Sequence, residues 1–315
     1  MTTTTLATPI FLSNDLLTGA EWSPAHTHDL LRLTADIKSH PARYAETLRG
    51  KFIALIFEKP SLRTRVTFEV GIQSMGGSVV FLDHTQARLG ERESIADVAR
   101  NLERWVQGIV ARVYEQRVLD EMAASAAIPV INALSDKFHP CQALADFFTL
   151  EEKVGNLRGF RLAYVGDGNN VCHSLMYLAS RLGVHLRIAT PPDYAPERDV
   201  IQDSKRVARE TRAKIELCTD PREAVAGAEA VYTDSWTSMG FEAQQQVRNS
   251  VFAPYQVNAA LMAQAAPGAY FMHCLPAHRE CEVISEVLDG PQSVVLDQSE
   301  NRMYVQKAIL QALFS

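Results

Sequence analysis

The sequence is short of features that mark secreted or membrane proteins. Its five cysteines are odd in number and form no C-x-x-C pair, which argues against a disulfide framework and fits reduced thiols in the cytoplasm. Its longest apolar runs fall far short of the roughly 20 residues that a membrane-spanning helix needs. The segment from Met1 to Leu6 has no positively charged start and no apolar stretch, so no secretory signal is visible.

An excess of positive charge is also absent. The chain has 31 basic and 37 acidic residues, a net charge of −6, without Lys/Arg runs. Such a chain gives no reason to expect nucleic acid or an anionic membrane as a partner. What is present is ordinary globular composition, because 47% of the 315 residues are hydrophobic. At about 100 to 200 residues per domain, this length favours two domains.

Short apolar strands alternate with helical patterns from about residue 50 to the end. Phe52–Phe57 is predicted to be a buried strand, and Phe68, Ile72 and Met75 then follow the spacing of one helix face. Near-continuous apolar strands separated by helices indicate parallel sheets covered on both faces. Further strands are predicted at about 78–82, 109–114, 129–134, 160–165, 185–190, 214–218, 230–234, 269–274 and 293–297.

The pattern restarts after Gly155, and residues 140–154 are predicted to form one helix that bridges two halves. The fold class predicted is therefore α/β, with two doubly wound parallel-sheet domains and a cleft between them. In such sheets ligands bind beyond the carboxyl ends of the strands. The loops at those ends are where chemistry is expected.

The segment Ser61 to Arg65 follows the first strand and opens a helix. A helix start offers free N–H groups and roughly half a positive charge, which suits an anion. Arg63 and Arg65 add guanidinium groups, which match phosphate geometry with two parallel hydrogen bonds. The alternative is a capped helix with solvated arginines. The strand–loop–helix context favours a phosphate-binding loop.

Three further polar residues lie near the ends of the strands at 109–114 and 129–134. Arg112 is a charge in an otherwise apolar strand, which requires either an internal salt bridge or a bound anion. His139 and Gln142 open the bridging helix and could hydrogen-bond a carbonyl oxygen or an amide, although a lone histidine is more often structural.

The second half carries a partial dinucleotide fingerprint. Gly166 and Gly168 follow a strand as in G-x-G-x-x-G, but the third glycine position is Val171. The missing glycine argues against a dinucleotide. Asn169 and Asn170 instead indicate a small polar ligand.

Two later loops combine acidic, hydroxyl and thiol groups. Asp234 to Gly240 suits either an ammonium-binding loop that closes or a simple Asx turn. Cys274, His278 and Cys281 have spacings that mimic a zinc half-site, but no complementary ligand pair is apparent. A site thiol at Cys274, beside His273, is the better interpretation.

Taken in order, these motifs resemble the ornithine carbamoyltransferase family over essentially the whole chain. The phosphate loop and His-Pro-x-Gln are shared with aspartate carbamoyltransferase, whereas Asp-x-x-x-Ser-Met-Gly and His-Cys-Leu-Pro indicate ornithine. The matching segments are residues 57–65, 138–142, 166–170, 234–240, 273–276 and 300–302.

The resemblance implies a first domain, residues 1–150 plus a C-terminal helix at 299–315 that returns to it, which binds carbamoyl phosphate. Residues 151–298 would bind L-ornithine. The resemblance also implies a homotrimer. No metal or organic cofactor is expected, because carbamoyl phosphate already carries an activated leaving group.

Site residues carry over position by position. Four are expected to be catalytic: Arg112, His139, Asp234 and Cys274. Carbamoyl phosphate would be bound by Ser61, Leu62, Arg63, Thr64, Arg88, Arg112, His139, Gln142, Cys274, Leu275 and Arg302. Ornithine would be bound by Asn170, Asp234, Ser238 and Met239.

Two positions depart from the family pattern. Leu62 replaces a common threonine and removes one hydroxyl, although backbone N–H contacts would survive. Arg88 occupies the place of a polar residue that in the family reaches a neighbouring subunit's site.

Other acceptors and another class of protein stay open at this point. A sister carbamoyltransferase would use N-acetylornithine, putrescine or aspartate, and a non-catalytic protein would bind carbamoyl phosphate or an amino acid. Asp234 argues for a free α-ammonium group, and putrescine has no carboxylate for Asn170 to bind. A biosynthetic role in arginine metabolism is expected, although synthesis and breakdown share one equilibrium.

Overall fold

The computed structural model describes residues 14–237 and 242–314. The chain divides into two compact units. The first, here called unit 1, extends to Leu144 and takes up the chain again from Arg302, and the second, unit 2, is Ala145–Asn301.

Unit 1 is built on a four-stranded parallel sheet with the order β2-β1-β3-β4. The strands are β1 (Phe52–Phe57), β2 (Ser78–Asp83), β3 (Gly108–Arg112) and β4 (Val130–Leu134). The helices are α1 (Pro24–Ser39), α2 (Leu62–Ser74), α3 (Ile95–Leu102), α4 (Gln116–Ser125) and the beginning of α5 (Pro140–Val154). β3 is buried along its whole length and β1 along all but its first residue, as their apolar sequences predict.

Unit 2 contains a five-stranded parallel sheet with the order β7-β6-β5-β8-β9. Its strands are β5 (Arg161–Val165), β6 (His185–Ala189), β7 (Lys214–Cys218), β8 (Ala230–Thr233) and β9 (Tyr270–His273). Its helices are α6 (Asn170–Leu182), α7 (Arg198–Thr211), α8 (Pro221–Val225), α9 (Gln245–Phe252), α10 (Ala259–Met262) and α11 (Ser285–Leu288), together with the start of α12 (Val295–Phe314). The predicted fold class, two doubly wound α/β domains with a C-terminal helix that returns to the first, is confirmed.

The strand order of each sheet locates its binding edge. The order reverses between β1 and β3 in unit 1, and between β5 and β8 in unit 2. Ligands of doubly wound sheets bind beyond the carboxyl ends of the strands at such a reversal. The Ser61 loop and Arg112 lie at that edge of unit 1, and the Gly166 loop and Asp234 lie at that edge of unit 2.

Hydroxyl side chains cap several helices. The Ser94 side chain accepts the Asp97 N–H at 3.1 Å at the start of α3. The sequence pattern did not predict α1, whose start has a similar signal. Ser23 caps it through the His26 N–H at 3.2 Å, and Pro24 occupies the first turn.

The predicted strand at 293–297 is wrong. Ser293 makes only an isolated bridge to Phe271, and the Val294 N–H donates to the Phe271 carbonyl at 3.0 Å. The Gln298 N–H then donates to the Val294 carbonyl at 2.9 Å, so helical bonding replaces strand pairing within one residue. No helix among the described residues combines the length and apolar character that crossing a membrane requires.

Candidate functional site

The loop after β1 is the N-terminal cap of α2. The Ser61 hydroxyl accepts the Thr64 N–H at 3.3 Å. First-turn N–H groups have no acceptor within their own helix, so they remain suited to an anion. The Leu62 side chain is 75% exposed, so the contribution of this position to such a site is its backbone N–H group. The loss of a hydroxyl at Leu62 therefore leaves the cap intact.

Arg302 joins three segments of unit 1. Its guanidinium donates to the Gln142 side-chain oxygen and, at 2.7 Å, to the Thr64 hydroxyl. All three side chains are at least 97% buried. The capped start of α2, the first turn of α5 and the part of α12 that belongs to unit 1 are thus held together by one cation.

Arg112 and His139 lie beside this cation. Arg112 ends β3, and His139 immediately precedes α5; both are buried. Burial lowers the pKa of His139 well below its ordinary value, and the positive charges of Arg302 and Arg112 act in the same direction. His139 is therefore a neutral imidazole at neutral pH, able to donate one hydrogen bond to a carbonyl oxygen.

The two arginines of the phosphate-loop motif have different surroundings. Arg65 is half exposed, its guanidinium lies 3.7 Å from the Phe81 ring centroid, and its Nε donates to Glu69 at 2.9 Å. Those contacts direct it toward β2. Arg63 is half-buried at the second position of α2. Of the pair, Arg63 is the one left as a candidate for the anion site.

A second group of cations surrounds Tyr114. The Arg88 guanidinium lies 4.1 Å from the Tyr114 ring centroid, and the Lys59 ammonium lies 4.5 Å from it. Burial lowers the pKa of Lys59, and Arg112 is the next largest cause. Arg88 was predicted from the sequence, whereas Lys59 and Tyr114 were not. Lys59 had a signal, because it lies two residues before Ser61 in the loop that follows β1.

Asp234 is the centre of the polar cluster in unit 2. Its Oδ1 accepts the Cys274 S–H at 2.9 Å and the Ser235 N–H at 2.7 Å. Its Oδ2 accepts the Asn169 side-chain amide at 2.7 Å. Three residues in the loops that follow β5, β8 and β9 therefore donate to one carboxylate, and Asp234 is 8% exposed.

Cys274 is a thiol in this setting. Burial raises its pKa well above the ordinary value, and the neighbouring Asp234 charge adds to the effect. A thiolate at this position is disfavoured at neutral pH. Of the two groups predicted as candidates for taking a proton from a substrate amine, the geometry favours Asp234, which already accepts hydrogen bonds.

His273 supports the turn that follows Cys274. Its Nδ1 accepts the Leu275 N–H at 2.8 Å, so its proton lies on Nε2, which is 3.1 Å from Glu282. Leu275 has φ +58°, a left-handed conformation that this hydrogen bond stabilises. Sequence analysis identified Leu275 but not Glu282. The one distinguishing feature of Glu282 is that it is an acidic residue in a core position.

The spacing of Cys274, His278 and Cys281, which mimics a zinc half-site, does not bring these three residues together as ligands in the described part of the chain. Within the described residues, the ligand atoms of Asp234, His273 and Cys274 lie within 4.8 Å of one another, and no such group includes His278 or Cys281. The alternative of a site thiol at Cys274 is the one that the geometry supports.

The Gly166 loop has a packing explanation for its second glycine. A Cβ on Gly168 would lie 2.3 Å from the Pro196 nitrogen and 2.6 Å from the Ala195 carbonyl carbon. The chain's own backbone therefore packs against Gly168, which explains the glycine without a ligand. This contact, with the missing third glycine, argues against the dinucleotide interpretation.

The two asparagines of this loop have separate roles. Asn169 caps α6 by accepting the Val171 and Cys172 N–H groups, and its amide reaches Asp234. Asn170 begins α6 and its side chain accepts the Val171 N–H at 2.9 Å. Sequence analysis selected Asn170 for ligand binding. It did not include Asn169, which is the direct partner of Asp234, among the ornithine-binding residues. A residue that caps a helix can therefore also belong to the site.

Arg248 hydrogen-bonds to residues near the end of the described segment 14–237. It donates to the Trp236 carbonyl at 2.5 Å and to the Asp167 carboxylate. Burial raises the pKa of Asp167 to about 6, and Arg248 opposes that rise. Ser238 and Met239, predicted to bind ornithine, lie outside the described residues.

The candidate residues divide between the two units. Unit 1 contains Ser61, Leu62, Arg63, Thr64, Arg88, Arg112, His139, Gln142 and Arg302. Unit 2 contains Asn170, Asp234, Cys274 and Leu275. Unit 1 thus presents mostly cations and hydrogen-bond donors, whereas the residues of unit 2 are grouped around the single carboxylate of Asp234.

Two family models match the chain. Residues 14–152 match the carbamoyl-P binding domain of aspartate/ornithine carbamoyltransferase, and residues 158–313 match its Asp/Orn binding domain. The ornithine carbamoyltransferase of Methanothermobacter thermautotrophicus is 51% identical, over 90% of this chain and 93% of that protein. The Bacillus subtilis enzyme of the same name is 46% identical, over 95% and 93%.

Solved structures agree with these matches. Ornithine carbamoyltransferase from Pyrococcus furiosus has a TM-score of 0.93 and 44% identity, covering 97% of this chain and 99% of that chain. A solved N-acetyl-L-ornithine transcarbamylase is less similar, at 31% identity and a TM-score of 0.85, over 95% and 99%.

The neutral state of His139 can be tested directly. We expect its imidazole to stay neutral in the folded protein at pH values where an unfolded histidine is mostly protonated, since burial and two cations oppose protonation. Histidine in the unfolded chain titrates near 6.5, so this residue should lower the free energy of unfolding as the pH falls below about 6.5. Imidazole ¹⁵N shifts, assigned with His139→Gln, measure the charge state. A midpoint near 6.5 in the folded protein would contradict the assignment.

Proposed function

Because the chain belongs to the aspartate/ornithine carbamoyltransferase family, we propose that it transfers the carbamoyl group of carbamoyl phosphate to the δ-amine of L-ornithine. The products are L-citrulline and phosphate. The observation that carries the proposal is the contact of Arg302 with Thr64 and Gln142, which brings a helix start next to Arg112 and His139. Unit 1 is accordingly the carbamoyl-phosphate domain, and unit 2 is the ornithine domain.

The phosphate group binds at the start of α2. Ser61 to Thr64 supply backbone N–H groups and hydroxyls, and Arg63, Arg112 and Arg302 supply positive charge. As phosphate leaves, its charge grows, and groups already fixed in position stabilise that charge without reorganising. Arg302 is fixed by its two hydrogen bonds before the substrate arrives.

The carbamoyl oxygen is the second place where negative charge develops. Attack by the amine makes this oxygen an oxyanion, and a neutral His139 can donate to it without carrying a competing charge into the buried pocket. Gln142 orients the carbamoyl amide. Its oxygen is engaged with Arg302, so its own orientation is set by that bond.

Ornithine binds through Asp234 and its neighbours. The carboxylate pairs with the α-ammonium group, Asn170 and Ser238 bind the α-carboxylate, and Met239 packs against the substrate. Cys274 and Leu275 act at the δ-amine. A free alkylamine has a pKa of about 10.4, so the reaction requires the site to favour its neutral form. Asp234 supplies the hydrogen-bond acceptor, while the Cys274 thiol stays protonated.

We also propose that the protein is a homotrimer, works in the cytoplasm and serves arginine biosynthesis. All five cysteines lie within the described residues and are free thiols, which suits a reducing compartment. Leu62, Val66 and Val70 form an exposed apolar stripe along one face of α2, beside the edge strand β2. An apolar surface of this kind supports self-association.

The acceptor can be identified by a citrulline assay with a panel of amines. With carbamoyl phosphate saturating, L-ornithine should give the highest kcat/KM, because the Asp234 carboxylate pairs with a free α-ammonium group. N-acetylornithine, putrescine and aspartate are the comparison acceptors. Faster turnover of any of these would overturn the substrate assignment. Binding of carbamoyl phosphate without turnover of any acceptor would favour a binding protein.

The role of Asp234 is tested by Asp234→Asn. Loss of a charge-assisted contact should raise the KM for L-ornithine by about 10- to 100-fold. The KM for carbamoyl phosphate should change by less than about 3-fold, since Asp234 is proposed to bind the other substrate. Asp220→Asn is the matched control, because Asp220 caps α8 on the surface and asparagine caps equally well. Equal changes in both KM values would contradict the assignment.

Self-association is tested at Val70, which lies two turns from the phosphate loop and is 46% exposed. The wild-type protein should have a solution mass of three times 35.0 kDa by light scattering. Val70→Glu should shift the mass toward the monomer, because it puts a charge into an apolar contact. Val247→Glu, on an exposed site of unit 2, should leave the mass unchanged. A wild-type monomer, or a Val70→Glu trimer, would refute the proposed interface.

A further inference from the structure

A buried carboxylate connects three strand ends in unit 1. Glu58 follows β1 and is only 2% exposed. Its Oε1 accepts the Leu89 N–H and its Oε2 accepts the Tyr114 N–H, both at 2.8 Å. Its own N–H donates to the Arg112 carbonyl at 2.9 Å. Because β1 lies between β2 and β3, one side chain reaches the loops that leave both neighbouring strands.

We call the two hydrogen bonds from the Leu89 and Tyr114 N–H groups to Glu58 the bracket. These two bonds require a carboxylate. Beyond the ends of the strands, the Leu89 and Tyr114 N–H groups are no longer served by the sheet ladder. Two acceptor oxygens on one rigid group satisfy both donors, whereas an amide offers only one oxygen. Burying a charge is costly, so a neutral solution would be favoured if stability alone mattered. Of the nearby cations Lys59, Arg88 and Arg112, Lys59 interacts electrostatically with Glu58 and offsets part of its charge.

The bracket determines where two of those cations lie. Leu89 directly follows Arg88 and its side chain is buried in the core of unit 1, so fixing its N–H fixes the attachment point of Arg88. Tyr114 presents the ring on which the Arg88 guanidinium and the Lys59 ammonium lie, at 4.1 and 4.5 Å from the centroid. The face of the aromatic ring attracts both cations, and Arg88 Nη1 also lies 4.0 Å from Glu115 Oε1.

We propose that Glu58 is a positioning residue for the anion site. By bracketing the Leu89 and Tyr114 backbones, it holds Lys59 at the carboxyl edge of β1 and β3, where the phosphate group of the substrate binds, and it fixes the segment that carries Arg88. The inference rests on the proposed function and deepens it. Glu58 does not touch the substrate itself; it acts through the two loops and the cations on Tyr114.

Glu58→Gln tests this role, because the amide nitrogen donates where one loop needs an acceptor. The KM for carbamoyl phosphate should rise at least about 10-fold. The KM for L-ornithine and the kcat at saturating substrates should change less than about 3-fold, a split that general destabilisation would not produce. Glu103→Gln is the matched control, since Glu103 accepts the Ala127 N–H at 2.9 Å elsewhere in unit 1 and should leave both KM values unchanged. An unchanged KM for carbamoyl phosphate in Glu58→Gln would overturn the proposal.

A double-mutant cycle shows whether Glu58 acts through Arg88. In the Arg88→Ala background, Glu58→Gln should raise the KM for carbamoyl phosphate by a clearly smaller factor than in the wild-type background. Fully multiplicative effects would overturn the positioning role. If Glu58→Gln does not fold, Glu58→Asp keeps both oxygens but shortens the reach. An unaltered KM in that variant would overturn the proposal equally.

The test separates this inference from the proposed function. If wild-type protein turns over no acceptor, the proposed function fails, and calorimetry with inorganic phosphate as the probe still tests Glu58. Wild-type protein should then bind phosphate at least about 10-fold more tightly than Glu58→Gln. Equal phosphate affinities would refute the positioning role whatever the reaction proves to be.

Discussion

The buried guanidinium of Arg302 is the constraint on which the arrangement of unit 1 depends. A charge taken out of water must be compensated by well-placed partners, because leaving it uncompensated costs several kcal/mol. Here the compensation comes from Gln142 and Thr64, which belong to α5 and α2. The position of a helix start at the end of β1 is thereby tied to the C-terminal helix. Burial lowers the pKa of His139, and the charge of Arg302 acts in the same direction, so the packing of unit 1 also sets the charge state of a site residue.

In unit 2 the charge at the centre of the site is negative, opposite in sign to that in unit 1. Its centre is the Asp234 carboxylate, whose oxygens accept hydrogen bonds from Cys274, Ser235 and Asn169. A cationic unit suits a substrate that carries phosphate, and an acidic centre suits one that carries an ammonium group. The two units therefore differ in the charge that they present at the same edge of a similar parallel sheet.

Prediction from sequence succeeded where local signals are strong. The bounds of β1, β7 and α5 follow directly from apolar runs and helical spacing. It failed at residues 293–297, where Val294 and Val295 look like a strand but hydrogen bonding turns helical after a single bridge. The helix α1, which precedes the alternating pattern that begins near residue 50, was not predicted. The Ser23-Pro24 start signal was present and would have revealed it.

The sequence by itself determined the fold class and most of the candidate residues, because strand ends, helix caps and arginine-containing loops are local patterns. Only the tertiary structure decided which of these side chains meet. Arg302 and Thr64 are 238 positions apart, and no spacing rule relates them. Likewise Gly168 is explained by Pro196, and the bracket at Glu58 by Leu89 and Tyr114. Such contacts depend on how strands are ordered within a sheet, which long-range packing sets and local sequence does not.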